Sequence, residues 1–420
     1  MAIQKISAGQ AFELAKRNPQ SRYPKPGNGQ ERLFPVPRPV GRPSFKLALD
    51  NKVFTLGSCF AREVDRALRG LGFQVLSREA NLDAEVERAG KDESLYNKYT
   101  VHSILNEIRW ALDPDAPHPG GDALLPTGGG KWCDPQLGGS TFSGTFEQMM
   151  AFRGSFVQTM QRVREADVII ITLGLVEAWF DKNSGLYLNA APPPRAVVSE
   201  PDRFELHVLD YQEIISALEE VHALLSRFGK PGWKMLLTVS PVALLSTFRD
   251  QDVLVANMYS KSVQRAAAEA FVLRHENVDY FPSYEFVTLG DPKTNWTHDY
   301  RHVHPRVVNR IMSSVMAAYL DDPELAQKAL SDDAHMLYGA QDYEALITLY
   351  AANDPKYLSS LALYRIGLAY KKVARFAEAL DVFRICVQRN PDDADAQRNL
   401  AAMQERLQKQ SKRTLNIREG

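Results

Sequence analysis

The chain has 420 residues, 45% hydrophobic and 24% charged, which excludes a fibrous or low-complexity protein and suggests two or three globular domains. With Lys+Arg 50 against Asp+Glu 51, the formal net charge of -1 excludes a chain-wide electrostatic design for nucleic acid. Three scattered cysteines, Cys59, Cys133 and Cys386, exclude a disulfide framework and a zinc site and point to a reducing compartment. Met1 to Arg17 lacks the apolar core of a signal peptide. The longest apolar stretch, Val168 to Val176, falls far short of the ~20 residues of a membrane helix. The expectation is a cytoplasmic protein with no membrane span, no nucleic-acid partner, no metal and no cofactor.

Residues 18–45 hold many prolines with Gly27, Gly29 and Gly41, so residues 1–45 are expected to form an extended N-terminal arm. Val53 to Leu56 reads as a buried strand, Gly57 as a turn, and Phe60, Val64, Leu68 and Leu71 as the apolar face of a helix. This strand–turn–helix exposes Ser58 and Cys59 at a strand end beside a helix N-terminus. Ser58 there can be a nucleophile with its own N–H on an oxyanion, or a plain N-cap.

Phe73 to Leu76 suggests a second strand, and Thr100 to Leu112 a helix preceded by Leu95-Tyr96-Asn97-Lys98-Tyr99. Residues 113–145, with Gly128-Gly129-Gly130, read as a long loop; the triplet lacks the Lys-Ser/Thr of a phosphate-binding loop. Phe152 to Arg164 is helical in pattern. Ala166 to Leu173 is continuously apolar and β-branched, as in a central parallel strand. Ala178 to Leu188 suggests a hairpin around Asp181-Lys182-Asn183-Ser184-Gly185. Helices are expected at Tyr211–Phe228, Val253–Arg274 and Pro305–Tyr319, and strands at Lys234–Val239 and Val278–Phe281. The alternation predicts an α/β domain over 46–322, a three-layer sandwich on a mainly parallel sheet. Ser58, Gly174, Ser240 and Ser283 all follow strand ends, where such sheets bind ligands.

The last part changes character. Gly367, Tyr370, Ala379, Phe383 and Pro391 have the internal spacing of a tetratricopeptide repeat. Ala345, Leu349 and Ala352 precede Ala379, Phe383 and Cys386 by that repeat's period of about 34 residues. Residues 323–410 are therefore expected to be a small all-α repeat domain, with Ala394 to Lys409 as its capping helix and 411–420 as a tail.

Asp299-Tyr300-Arg301-His302-Val303-His304-Pro305 precedes the last helix of the α/β part. A histidine there can reach a strand-end serine, with a nearby acid fixing its tautomer. Two histidines two apart suggest a metal, but no third ligand accompanies them.

Gly57-Ser58-Cys59-Phe60-Ala61 resembles the motif that names the GSCFA family, a branch of the SGNH-hydrolase-like superfamily. Further resemblance lies in Thr172 to Trp179, Thr238 to Val242, Asn257 to Lys261 and Tyr280 to Glu285, spanning about 40–320. The resemblance implies an SGNH/flavodoxin-like sandwich and a serine esterase or O-acyltransferase acting on an acylated small molecule or saccharide. Ser58 would be its nucleophile, His302 its base and Asp299 the orienter. The superfamily often has proline directly after its histidine, which His304-Pro305 satisfies, but Arg301 then occupies the acid position. Its G-x-N-D block stands here as Gly174-Leu175-Val176-Glu177, and valine donates no side-chain hydrogen bond. Losing one oxyanion donor costs about 10²–10³-fold in rate. Substitute donors are the N–H of Ser58, Asn97, Thr172 or the N–H of Gly174. Glu177 and Trp179 are candidate pocket walls; alternatively Trp179 is core and Glu177 pairs with Arg301. Cys59 is a rival nucleophile, which would require Cys59 rather than Ser58 to face His302. A different reading is a binding or assembly protein that kept the fold, lost efficient catalysis and recruits a protein partner through its repeats.

Overall fold

The structure, a computed structural model, describes residues 2–25, 33, 37, 39–78, 96–138, 142–320, 322–351 and 353–418. Leu95 and Ala352, named above, lie outside them. Ala8–Arg17 is a helix (α1), so the N-terminal segment is not extended throughout; the prolines and glycines that predict an arm begin only after it. The first apolar run forms β1 (Lys52–Gly57), followed by α2 (Cys59–Gly70) and β2 (Gln74–Val75). Leu76 leaves the expected second strand for a 3-10 turn. Thr100 starts α3 (Val101–Leu112) with a capping box, its hydroxyl accepting from Ser103 N at 3.2 Å.

The stretch 113–145 is not loop throughout. Strands β3 (Leu125–Gly128) and β4 (Lys131–Cys133) form a hairpin, and the glycine triplet supplies its turn with φ of 107, 61 and 75. Glycine-rich composition hid two strands too short to alternate visibly. Helix α4 (Phe146–Gln161) leads to β5 (Val168–Leu173). Strands β6 (Glu177–Asp181) and β7 (Leu186–Leu188) flank the expected turn; after α5 (Pro194–Ser199), β8 (Phe204–Val208) pairs with the other edge of β6. Then come α6 (Tyr211–Phe228), β9 (Lys234–Val239), α7 (Val253–Val272), β10 (Val278–Tyr280), the short α8 (Ser283–Thr288) and α9 (Pro292–Asn295), and α10 (Pro305–Leu320).

Five strands make one parallel sheet in the order β10-β9-β5-β1-β2. Its core sets Phe54, Leu56, Ile169, Ile171, Met235 and Leu237 against apolar faces of α3, α4, α6 and α7. The chain runs from β1 outward to β2, then returns to the other side of β1 with β5. The crevice beyond the carboxyl ends of β1 and β5 is therefore the switch point where such sheets bind ligands.

By internal contacts the chain forms two units: Met1–Ala8 with Gly41–Glu285 and Trp296–Asn309, and Gly9–Val40 with Phe286–Asn295 and Arg310–Gly420. The second is helical: α11 (Pro323–Gly339), α12 (Tyr343–Ala351), α13 (Ser360–Lys372), α14 (Phe376–Arg389) and α15 (Ala394–Arg418). The last helix runs through most of the expected tail. Gly367 on α13 lies under the Phe383 ring, where an added Cβ would stand 2.7 Å from the ring. Ala345, Leu349, Ala379, Phe383 and Cys386 share one apolar core. Among the described residues, no helix is long and apolar enough to cross a membrane.

Candidate active site

Gly57 closes β1 at φ 135, and a Cβ there would stand 2.2 Å from the Thr172 carbonyl and hydroxyl oxygens, so the turn requires glycine. Its carbonyl accepts from Lys98 N at 2.7 Å. Ser58 then sits at the N-cap of α2 without a side-chain capping bond. Its N–H donates to the Thr172 carbonyl at 3.3 Å and so is not the free oxyanion donor expected from the sequence. Its hydroxyl is buried, without a hydrogen-bond partner among the described residues, in the wall of the cavity at the switch point. Cys59, half-buried, opens the helix.

The loop 296–304 supplies the other half. A bridge between Trp296 and Val303 and the bond from Thr297 N to the His302 carbonyl (2.8 Å) close it, with Tyr300 at φ 55. Asp299 organises its interior. Oδ1 accepts from Thr297 Oγ1 (2.7 Å), Arg301 N (3.0 Å) and His302 N (3.0 Å), and Oδ2 lies 2.5 Å from His302 Nδ1. The His302 amide, the Thr297 hydroxyl and the His302 ring hold the Asp299 carboxyl far below the usual carboxylate range. With Nδ1 on Asp299, the His302 ring has Nε2 left for a second partner. Cys59 is the foremost influence raising the His302 pKa to about 9; burial opposes it and Asp299 adds to it.

Among the described residues Ser58 Oγ makes no hydrogen bond, to His302 or otherwise; the pair the structure shows is His302 with Asp299. Ser58 and Cys59 both line the cavity. His304 lies outside the group. Its carbonyl starts α10 by accepting from Val307 N at 2.8 Å, and burial lowers its pKa. Arg301 lines the cavity and donates to the Ala243 carbonyl at 3.0 Å. Glu177 does not pair with it; its carboxylate instead accepts from Thr247 Oγ1 (2.6 Å) and Phe248 N (3.0 Å), fixing a loop over the cavity. Trp179 is in the cavity wall, edge-on to Phe248.

Gly174 ends β5 against Ser58, with room for no Cβ between Ser58 and the Tyr99 carbonyl. The Leu173 carbonyl accepts from Ser240 N on the β9 side at 2.8 Å. The trans peptide therefore points the Gly174 N–H the other way, toward β1 and the Ser58–Cys59 turn. Asn97, buried beside Lys98, has Nδ2 at 3.4 Å from Tyr99 Oη and Oδ1 without a partner, and lies outside the cavity wall. Thr172 Oγ1 is likewise buried without a partner.

Lys261 escaped sequence reasoning. It is fully buried on α7, its Nζ donating to the Gly174 carbonyl at 2.7 Å, with Gln264 Nε2 on the same oxygen at 3.1 Å. Burial pushes its pKa down to about 7, with Cys59 countering and Arg301 adding to the shift. The signal was readable: a lysine on the stripe Ala256, Ser260, Gln264, Ala267 and Phe271, where a charged residue is seldom buried without a task. Among the described residues no group of His, Cys, Asp and Glu could hold a metal ion.

The GSCFA family model matches residues 52–314. No curated protein matches the chain, and no solved structure does.

Proposed function

Because the chain belongs to the GSCFA family, we propose that its α/β unit is an SGNH-type esterase or O-acyltransferase that uses Cys59 as nucleophile. The observation that carries the reading is the Asp299–His302 pair together with Cys59 in the cavity wall at the switch point of the sheet, where Cys59 is the foremost influence raising the histidine. The Cys59 thiolate attacks the carbonyl carbon of an acyl ester. The C–S bond forms, the C–O bond breaks, and protonated His302 gives its proton to the departing alkoxide. Water or an acceptor hydroxyl then loses its proton to neutral His302 and attacks the thioester, and the C–S bond breaks to restore the thiolate. The Ser58 hydroxyl and the Gly174 N–H are the donors for the oxyanion, in place of the missing asparagine. Lys261 acts as a positioning residue: it fixes the Gly174 peptide through its carbonyl.

The strand order supports an SGNH/flavodoxin-like sandwich, and resemblance supports an acylated small molecule or saccharide as substrate. The shared burial of Ala345 with Ala379 and Leu349 with Phe383 supports tetratricopeptide-like repeats that recruit a protein partner. Free cysteines fit a reducing, cytoplasmic setting.

The test is acid-quenched peptide mapping after incubation with p-nitrophenyl acetate. An acetyl group on Cys59, absent in Cys59→Ala and sharply reduced in His302→Ala, is the expected result. Acetyl on Ser58 would restore the serine as nucleophile. No acetylated peptide from a folded protein would favour the binding-protein reading.

A further inference from the structure

The cavity at Cys59 has a volume of about 400 Å³. A second cavity of about 700 Å³ abuts it, and the two share Trp179, Ala190, Ala191 and Phe248 as walls. Both volumes lie in the range of small-molecule sites. The divider is an aromatic pair, Trp179 and Phe248, with ring centroids 5.1 Å apart at 78°. The Trp179 side is held by β6, which pairs on both edges; the Phe248 side belongs to a loop and is 60% exposed. Beyond the divider the wall is mainly apolar, with Pro135, Leu137, Pro193, Val197 and Val198, and Thr127 and Arg195 among its polar members. The near cavity combines apolar Leu175, Val242 and Leu244 with Glu177, Asn189 and Arg301, and its outer lip exposes Leu245. Asp134, which touches the far cavity, has its carboxylate taken up by Arg153.

A thiol in one of two adjoining, mainly apolar cavities selects a substrate by what fills the space beyond it. Resting on the cysteine reading above, we propose that the acyl group handed to Cys59 is the end of an apolar chain that passes the Trp179–Phe248 pair and lies in the second cavity. A short acyl group, such as acetyl, would occupy only the near chamber. The chemistry is that of a fatty-acyl ester, with the tail bound by area burial and the carbonyl held by the Ser58 and Gly174 donors.

The test is calorimetric titration of full-length Cys59→Ala with sodium butyrate, octanoate and dodecanoate below their micelle concentrations. Each buried methylene tightens binding by up to about fourfold. Octanoate should therefore bind tens of fold tighter than butyrate, and dodecanoate tighter again. Ala190→Trp, which fills the junction, should bring the dodecanoate-to-butyrate affinity ratio close to one. A flat series, or an undiminished ratio in Ala190→Trp, overturns the proposal. The cysteine reading fails separately: the wild-type protein would then leave Cys59 unacetylated by p-nitrophenyl acetate while the chain-length series still rises.

Discussion

Asp299 and His302 were named through the family resemblance, with the acid three residues before the histidine favouring His302 over His304; the structure shows the two side chains hydrogen-bonded. The choice between Ser58 and Cys59 was not legible, since it turns on which of two adjacent side chains leaves the Gly57 turn toward the imidazole. The Ser58 amide is fixed to Thr172, and the hydroxyl faces the cavity without a partner among the described residues. Cys59, in the same wall, is the foremost influence on the histidine. This sets a pH dependence. His302 is raised to about 9 by Cys59 and Asp299, so it keeps its proton at neutral pH and loses it above that value. A step that needs His302 as acid should fail on the alkaline side near pH 9. In Asp299→Asn the cation loses its carboxylate, its pKa falls, and the alkaline limb should move down by about one unit or more. The pH profile of kcat for an activated ester checks this; an unmoved limb would detach Asp299 from the histidine.

The elements that aim these residues were mostly legible. Continuous apolar runs located the strands β1, β5 and β9, and helical periodicity located α6 and α7. The short antiparallel pieces were not, because two or three pairings leave no alternation to read. Nor was the support beneath the site. Lys98, Glu107, Arg153 and Asp134 form a buried charge network between the segment before α3, α3 itself and α4. Burial pushes Glu107 up, but Arg153 and Lys98 bring it below the usual carboxylate range. Lys98 also gives its amide to the Gly57 carbonyl, so the network anchors the turn that carries Cys59. In sequence Glu107 reads as a surface residue among Ile104, Ile108 and Ala111, since pairing across elements has no local signature. Glu107→Gln leaves two buried cations short of a charge, and should lower stability by about 3–5 kcal/mol in urea unfolding. A loss under 1 kcal/mol would mean that the network relaxes to water.

For the whole molecule, composition and length predicted several globular parts, and the structure has an α/β unit with one parallel sheet and a helical unit. By internal contacts Gly9–Val40 and Phe286–Asn295 group with the helical unit, a grouping of which chain order carries no record. The three cysteines now divide by environment. Burial pushes Cys133 up to about 12 and Cys386 up to about 11, whereas Cys59 is half-buried at a helix N-terminus beside His302. The most direct test of the account is the pH–rate profile of iodoacetamide alkylation, read by intact mass and peptide mapping on the folded protein. The expected result is a single modification, at Cys59, which His302→Ala slows. Alkylation spread over all three cysteines, or a Cys59 rate indifferent to His302, would contradict it.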